Sequence, residues 1–299
     1  MWAIFGLLSA VFLGVYDIFK KASLNENAVI PVLFFATLTS AVLFIPVVVI
    51  SSVQPEILQK IGLYAPPLTF TEHLQVFLKA ALVISSWLLA FFALKNLPIS
   101  IYSPIRATSP LWTLVGAIII FQESLNLLQW IGITLTLGFF FLFSTEGKSE
   151  GIKFEKNKWV LFIVAATILA AASGLYDKYI IRRIDRIAVQ AYFSFYQIAV
   201  MLPVLMLLWY PKRKKTTTFH WHWAIPAIGL SLVFADYFYF YALSIEGSMI
   251  SIIAALRRSS VIIAFTVGAL IFKEENLRRK GIYLVGILAG ILMITMASR

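Results

Sequence analysis

Asp17, Arg106, Asp177, Asp236, Arg257 and Arg258 are charged side chains standing inside long apolar stretches of this chain. A charge near the centre of a membrane helix costs about 2.5–3.5 kcal/mol on insertion scales, so such a group has a use and a partner. Asp236 lies near the middle of its stretch, in Phe234-Ala235-Asp236-Tyr237, and Arg258 near the middle of the next. A guanidinium binds a carboxylate or phosphate through paired hydrogen bonds, which casts Arg106 and Arg258 as anion ligands. Asp236 then pairs with Arg258, binds an amine on a ligand, or takes up a proton. A plainer reading also stands, in which Asp236 and Arg258 form a static pair that fixes helix register. Arg257, one residue from Arg258, points about 100° away around a helix, so one of the two faces the site and Arg258 is the choice.

The other polar residues divide similarly. Asp17 has Lys20 and Lys21 one turn on, and Asp177 has Arg182 nearby, so each either gates or couples, or pairs at a membrane boundary. Trp87, beside Ser85 and Ser86, either stacks on a flat or cationic ligand or packs in the core. Tyr237, Tyr239 and Tyr241 alternate and so spread around their helix, and Tyr237 joins the site set as the neighbour of Asp236. Gln190 and Gln197, two turns apart, share a face as polar lining. Glu123 and Glu275 fall at junctions of apolar run and loop, where caps of a helix N-terminus are expected.

Several chemistries are excluded or disfavoured. The chain has no cysteine, hence no thiolate metal site or cysteine nucleophile. Its histidines, His73, His220 and His222, are assigned to loops, and His220 with His222 lacks a third ligand, so no metal and no cofactor is expected. Asp17, Asp177 and Asp236 make no recognisable catalytic motif, and an enzyme is not expected. No ATP-binding loop occurs. The net charge of +11 has no soluble basic module behind it and does not point to nucleic acid. The basic residues flank helix ends, where they set topology and meet anionic headgroups.

These residues must be positioned by membrane helices. The chain is 61% hydrophobic and 13% charged with mean hydropathy +0.89, where a soluble domain carries roughly a quarter charged residues. Its apolar runs reach the about 20 residues that cross ~30 Å of hydrocarbon. They lie at 2–22, 29–50, 74–94, 99–121, 126–144, 159–181, 188–209, 223–243, 249–272 and 279–297. Lipid obliges each to satisfy its own backbone, so the fold is all-α integral membrane with ten transmembrane helices. The N-terminal run lacks a basic leader and reads as the first span rather than a cleaved signal. Trp2, Trp130, Trp159, Trp209, Trp221 and Trp223 fall near span ends, as interfacial anchors do. The segment Ser51 to His73 reads as a surface loop with a short interfacial helix.

The chain also repeats itself. Gly116, Glu123, Leu125 and Gly138 recur at one constant offset as Gly268, Glu275, Leu277 and Gly290, with Arg106 and Arg258 in the same register. Gly14-Val15-Tyr16-Asp17 is echoed by Gly174-Leu175-Tyr176-Asp177. Residues 1–146 and 158–299 each hold five runs, joined by 147–157. An odd number of spans inverts the second repeat, an arrangement of secondary transporters, whose sites lie near mid-bilayer at the repeat interface. Small residues of the sixth run, Ala165, Ala166, Ala170, Ala171, Ala172, Ser173 and Gly174, mark close helix packing. The termini share one side, to which Lys60, Lys79, Lys178, Arg182, Arg183, Arg186 and Arg299 are assigned. Most loop lysines and arginines, including the clusters at 148–158, 212–215 and 273–280, lie on the other, which by charge alone places both termini outside.

Ala93-Leu94 through Ser103-Pro104, Ser109-Pro110, Gly116, Glu123 and Gly138, with Ala242-Leu243 through Arg258-Ser259-Ser260, Gly268, Glu275 and Gly290, resemble the EamA family of the drug/metabolite transporter superfamily. The resemblance spans nearly the whole chain. It implies a ten-helix transporter of the bacterial cytoplasmic membrane with both termini inside, against the charge count. It implies a secondary transporter of a small polar metabolite, without naming the substrate; the intramembrane arginines favour an anionic or zwitterionic one, moved by alternating access and driven by a proton or by exchange. The alternative is a carrier or flippase component for a lipid-linked or amine- or drug-like substrate. One departure is that Pro104 and Pro110 face Leu256 and Ile262 in the other repeat, so the fourth span is expected to kink more than the ninth.

Overall fold

The computed structural model describes residues 1–24, 26–97, 105–106, 108–145, 157–260, 262–263 and 277–297. Among the described residues there is no strand. The helices are α1 (Trp2–Leu24), α2 (Val29–Val53), α3 (Pro55–Lys60), α4 (Phe70–Asn96), α5 (Ser109–Phe121) and α6 (Leu127–Thr145). They continue as α7 (Lys158–Ile181), α8 (Arg186–Val204), α9 (Ala224–Ser244), α10 (Ile250–Arg257) and α11 (Leu277–Ala297). Helices α1, α2, α4, α7, α9 and α8 with its continuation to Lys212 are long and apolar enough to cross a membrane, and α5, α6 and α11 hold shorter apolar helices. The fourth and ninth apolar runs fall partly outside the described residues, as do Ser103, Pro104, Gly268 and Glu275.

Local signals set where the helices begin. Thr69 and Glu72 form a capping box at α4, with Thr69 N donating to Glu72 Oε2 at 2.7 Å. Asn157 Oδ1 accepts from Trp159 N at the start of α7. Asp185 Oδ1 accepts from Ile187 N and Ala188 N at the start of α8. Each pairs backbone donors that the first helical turn leaves without an intrahelical acceptor. The capping box corrects two sequence assignments. His73 lies in the first turn of α4, not a loop, with Nδ1 2.9 Å from Tyr196 Oη. Lys79 lies well inside α4 and is buried, as is Lys178 inside α7. Neither lysine belongs to a loop.

The segment after α2 contains the expected short helix, α3, and then folds inward. Ser51 Oγ accepts from Ala65 N at 3.0 Å, and Ala65 packs with Ile187 and Ala188 of α8.

The closest helix pairs join one half of the chain to the other. α1 lies along α9 and α4 along α7, so the first long helix of each repeat packs on the third of the other. α6 pairs with α11, and α2 with α8. Two crossings are close enough for hydrogen bonds from side chain to carbonyl: Ser40 Oγ of α2 donates to Gly229 O of α9 at 3.1 Å, and Ser86 Oγ of α4 donates to Ala166 O of α7 at 2.8 Å. The second bears out close packing along the alanine-rich α7, where Ala166 and Ala171 are buried.

Candidate functional site

α10 stops at Arg257, and the chain tightens beyond it: Arg258 N donates to Ala255 O at 3.1 Å and Ser259 N to Leu256 O at 3.0 Å. No proline stands there. In the first half, residues 105–106 are helical, Thr108 turns, and α5 restarts at Ser109 with Pro110 in its first turn. Pro110 therefore opens a helix rather than kinking one, where its missing N–H costs little. A break is described in both repeats, while the remainder of the fourth and ninth runs, needed to compare their kinks, lies outside the described residues. The break falls beside Arg106 in one and at Arg258 in the other.

Around these breaks the charged residues converge from five helices. Lys79 of α4 meets Asp177 of α7 with Nζ 2.5 Å from Oδ1, both side chains buried. The Tyr239 hydroxyl of α9 lies beside the same carboxylate. The Arg257 guanidinium stacks 4.0 Å over the Tyr239 ring. Its Nη2 stands 3.5 Å from Asp236 Oδ1, and these two side chains remain 19% and 17% exposed. The short pair is thus enclosed, while the long pair opens on space. On the adjoining side, Arg258 lies within electrostatic reach of Arg106, Arg257 and Asp17, and Asp17 within reach of Lys20. Arg106 Nη1 donates to Ala166 O at 3.0 Å, the carbonyl that also accepts from Ser86. Among the described residues, neither Nε of Arg257 nor Nε of Arg258, both buried, has a hydrogen-bond partner.

The structure thus brings Arg106, Arg258, Asp17, Asp177 and Asp236 into one region but pairs them differently. Asp236 takes Arg257, not Arg258. The repeat register favours residues that occur twice, whereas Arg257 faces Ile105 in the other repeat and has no twin. Asp177 takes Lys79 from another helix rather than Arg182, which instead stacks over Phe121. Tyr239, not Tyr237, is the tyrosine of the cluster. Tyr237 turns toward Arg186 and the Ala65–Ile187 cluster. Trp87 packs with Leu33, Ile84 and Met201. Gln190 and Gln197 share a face as expected and are buried, with Gln190 Nε2 donating to Val233 O of α9 at 2.7 Å. Sequence reasoning missed Lys79. The Thr69-x-x-Glu72 box held the signal, since it starts the helix about 15 Å before Lys79.

A second buried ion pair ties α5, α7 and α10 at one end. Lys178 Nζ donates to Glu123 Oε1 at 2.6 Å and to Ser248 O at 2.5 Å. Glu123 also accepts from Ile250 N at 2.8 Å, from Ser251 N at 3.2 Å and from Ser251 Oγ. It is the cap of a helix N-terminus that its position suggests, applied to a helix of the other repeat.

Comparison with known proteins agrees with the two-repeat organisation. A search of curated proteins finds no match. A crystal structure of a protein superposes with TM-score 0.73 at 14% identity, covering 100% of this chain and 98% of its own, which shows a shared fold. The sequence model of the EamA-like transporter family matches twice, over residues 1–145 and 157–296. With apolar helices of membrane-crossing length and two family repeats covering nearly all of it, this chain belongs to the EamA-like transporter family, within the drug/metabolite transporter superfamily.

Proposed function

We propose that the protein is a secondary transporter that binds a small anionic or zwitterionic metabolite where Arg257 and Arg258 meet Asp236, and moves it by alternating access with a proton or by exchange. The observation that carries this reading is the pair of buried guanidinium Nε donors without an acceptor, on adjacent residues at a helix break. A buried donor left unpaired costs about 1–3 kcal/mol, more for a charged group, and a ligand carboxylate or phosphate supplies the acceptor. Arg106 adds a further positive charge beside Arg258. Asp236, held by Arg257 at only 3.5 Å, is placed to take an amine on the same ligand. The breaks at Arg106 and Arg258 support the reading too, because irregular backbone at membrane depth belongs where it lines a cavity.

The test is the melting temperature of the purified protein against anionic, zwitterionic, cationic and lipid-like compounds. Ligand at a hundredfold over Kd stabilises by about 2.7 kcal/mol. A shift with anionic or zwitterionic compounds that vanishes in Arg258→Ala is the expected result. In proteoliposomes Arg258→Ala and Asp236→Asn each abolish uptake while leaving a folded protein. A shift confined to cationic amines or to lipid-like compounds sinks this reading, and normal uptake by both variants places the site elsewhere.

A further inference from the structure

Lys79 is held in an unusual way for a lysine. Its ammonium lies 2.5 Å from Asp177 Oδ1, 4.1 Å from the centroid of the Phe193 ring and 5.0 Å from that of Phe240. The residue is only 3% exposed. A carboxylate with two aromatic faces is what recognises an alkylammonium ion from solution. Three different helices supply the walls: Asp177 from α7, Phe193 from α8 and Phe240 from α9. α4 supplies the occupant.

The charges of the enclosed and open pairs balance. Lys79, Asp177, Arg257 and Asp236 are two cations and two anions, linked in series through Tyr239. Removing Lys79 would strand a carboxylate in a medium of low dielectric, which must then be neutralised from outside. We infer that Lys79 is a built-in counter-cation: its side chain fills an ammonium site formed by α7, α8 and α9, so the Arg257–Asp236 site works without an alkali-metal coupling ion. The last clause rests on the functional reading above, while the ammonium site stands on its own geometry.

Lys79→Ala deletes three methylenes and an ammonium, which together are propylammonium. In purified Lys79→Ala the melting temperature falls by about 10 °C. Propylammonium chloride restores it saturably, whereas tetramethylammonium chloride, too bulky for the vacated space, does not. Wild type and Lys79→Ala/Asp177→Asn show no response to propylammonium. If Lys79→Ala is too unstable to purify, Lys79→Met/Asp177→Asn is compared with Lys79→Met, and the neutral pair melts higher. In wild type, the shift caused by anionic or zwitterionic compounds is the same in sodium, potassium and choline chloride. A Lys79→Ala protein indifferent to propylammonium overturns the inference, as does a double variant no more stable than Lys79→Met, or a wild-type shift that requires sodium or potassium. Rescue by propylammonium with no wild-type shift from any anion or zwitterion leaves the ammonium site standing and overturns the functional reading instead.

Discussion

Glu123 and Lys178 form a pair whose partners are unequally replaceable. Without Lys178, the Glu123 carboxylate still accepts from two backbone amides and the Ser251 hydroxyl, so it remains satisfied. Without Glu123, the Lys178 ammonium is left buried with only the Ser248 carbonyl, and the first turn of α10 loses its cap. Breaking a buried pair from the side that strands a charge costs about 3–5 kcal/mol, and a lost cap about 1 kcal/mol more. Glu123→Ala should therefore lower the melting temperature clearly more than Lys178→Met, and equal losses would contradict this account. The same residues show what the sequence did and did not reveal. Glu123 was legible because a carboxylate beside a helix end has a standard use. Lys178 was not, because a lysine one turn from a span end resembles a boundary residue whether it points to water or inward. The pairing of Asp236 with Arg257 instead of Arg258 escaped the sequence for a related reason. Repetition highlights residues that the two halves share, and the basic partners of the ion pairs here, Lys79, Lys178 and Arg257, are residues that they do not.

Glycine acts at the level of helix crossings, and equivalent sequence positions do not carry equivalent packing. Gly138 and Gly290 are counterparts in the repeat, yet among the described residues a Cβ at Gly138 meets nothing within 4 Å, while one at Gly290 meets Gly132 O and Thr136 N at 2.7 Å. Both of those are backbone atoms of α6 and cannot swing aside. A Cβ at Gly132 would in turn meet Gly290 O at 2.8 Å, so α6 and α11 cross with their backbones closely packed. Gly290→Ala must push the helices apart, at about 1–3 kcal/mol. Gly138→Ala should be neutral or stabilising by up to about 1 kcal/mol, since alanine is the better helix former. Thermal melts of the two variants in one detergent decide the matter, and a Gly138→Ala protein that melts lower than Gly290→Ala refutes it. Helix limits were largely readable because hydropathy and caps are local. α1, α2, α6, α7 and α9 match the predicted runs to within a few residues. What hydropathy could not show was α10 stopping at Arg257, because no proline or glycine marks the place and the turn depends on tertiary surroundings.

The main contacts of the whole molecule run between repeats, not within them. α1 rests on α9, α4 on α7, α2 on α8 and α6 on α11, while α1 and α2, neighbours in sequence, meet only slightly. Each repeat taken alone would present to lipid the surfaces that carry its small residues and charges. Lys79 would lack Asp177, Glu123 would lack both Lys178 and the α10 amides, and Ser40 would lack the Gly229 carbonyl. Apolar side chains lose nothing by facing lipid instead of a helix, so these polar and close-packed contacts drive association. The chain cut within 147–156 should therefore assemble from two co-expressed halves, because the contacts named above join the halves without the covalent link. A tag on residues 1–150 is expected to retrieve 151–299 from detergent extracts, and the reconstituted pair should keep the wild-type ligand shift. Residues 1–150 expressed alone should be degraded or aggregate. In the assembly, Lys79→Ala in one half should weaken retrieval of the other, and Asp177→Asn in the partner half should restore part of it. Halves that fold and remain monomeric when expressed separately would show that each repeat holds its own structure, and that the cross-repeat ion pairs tune the protein without building it.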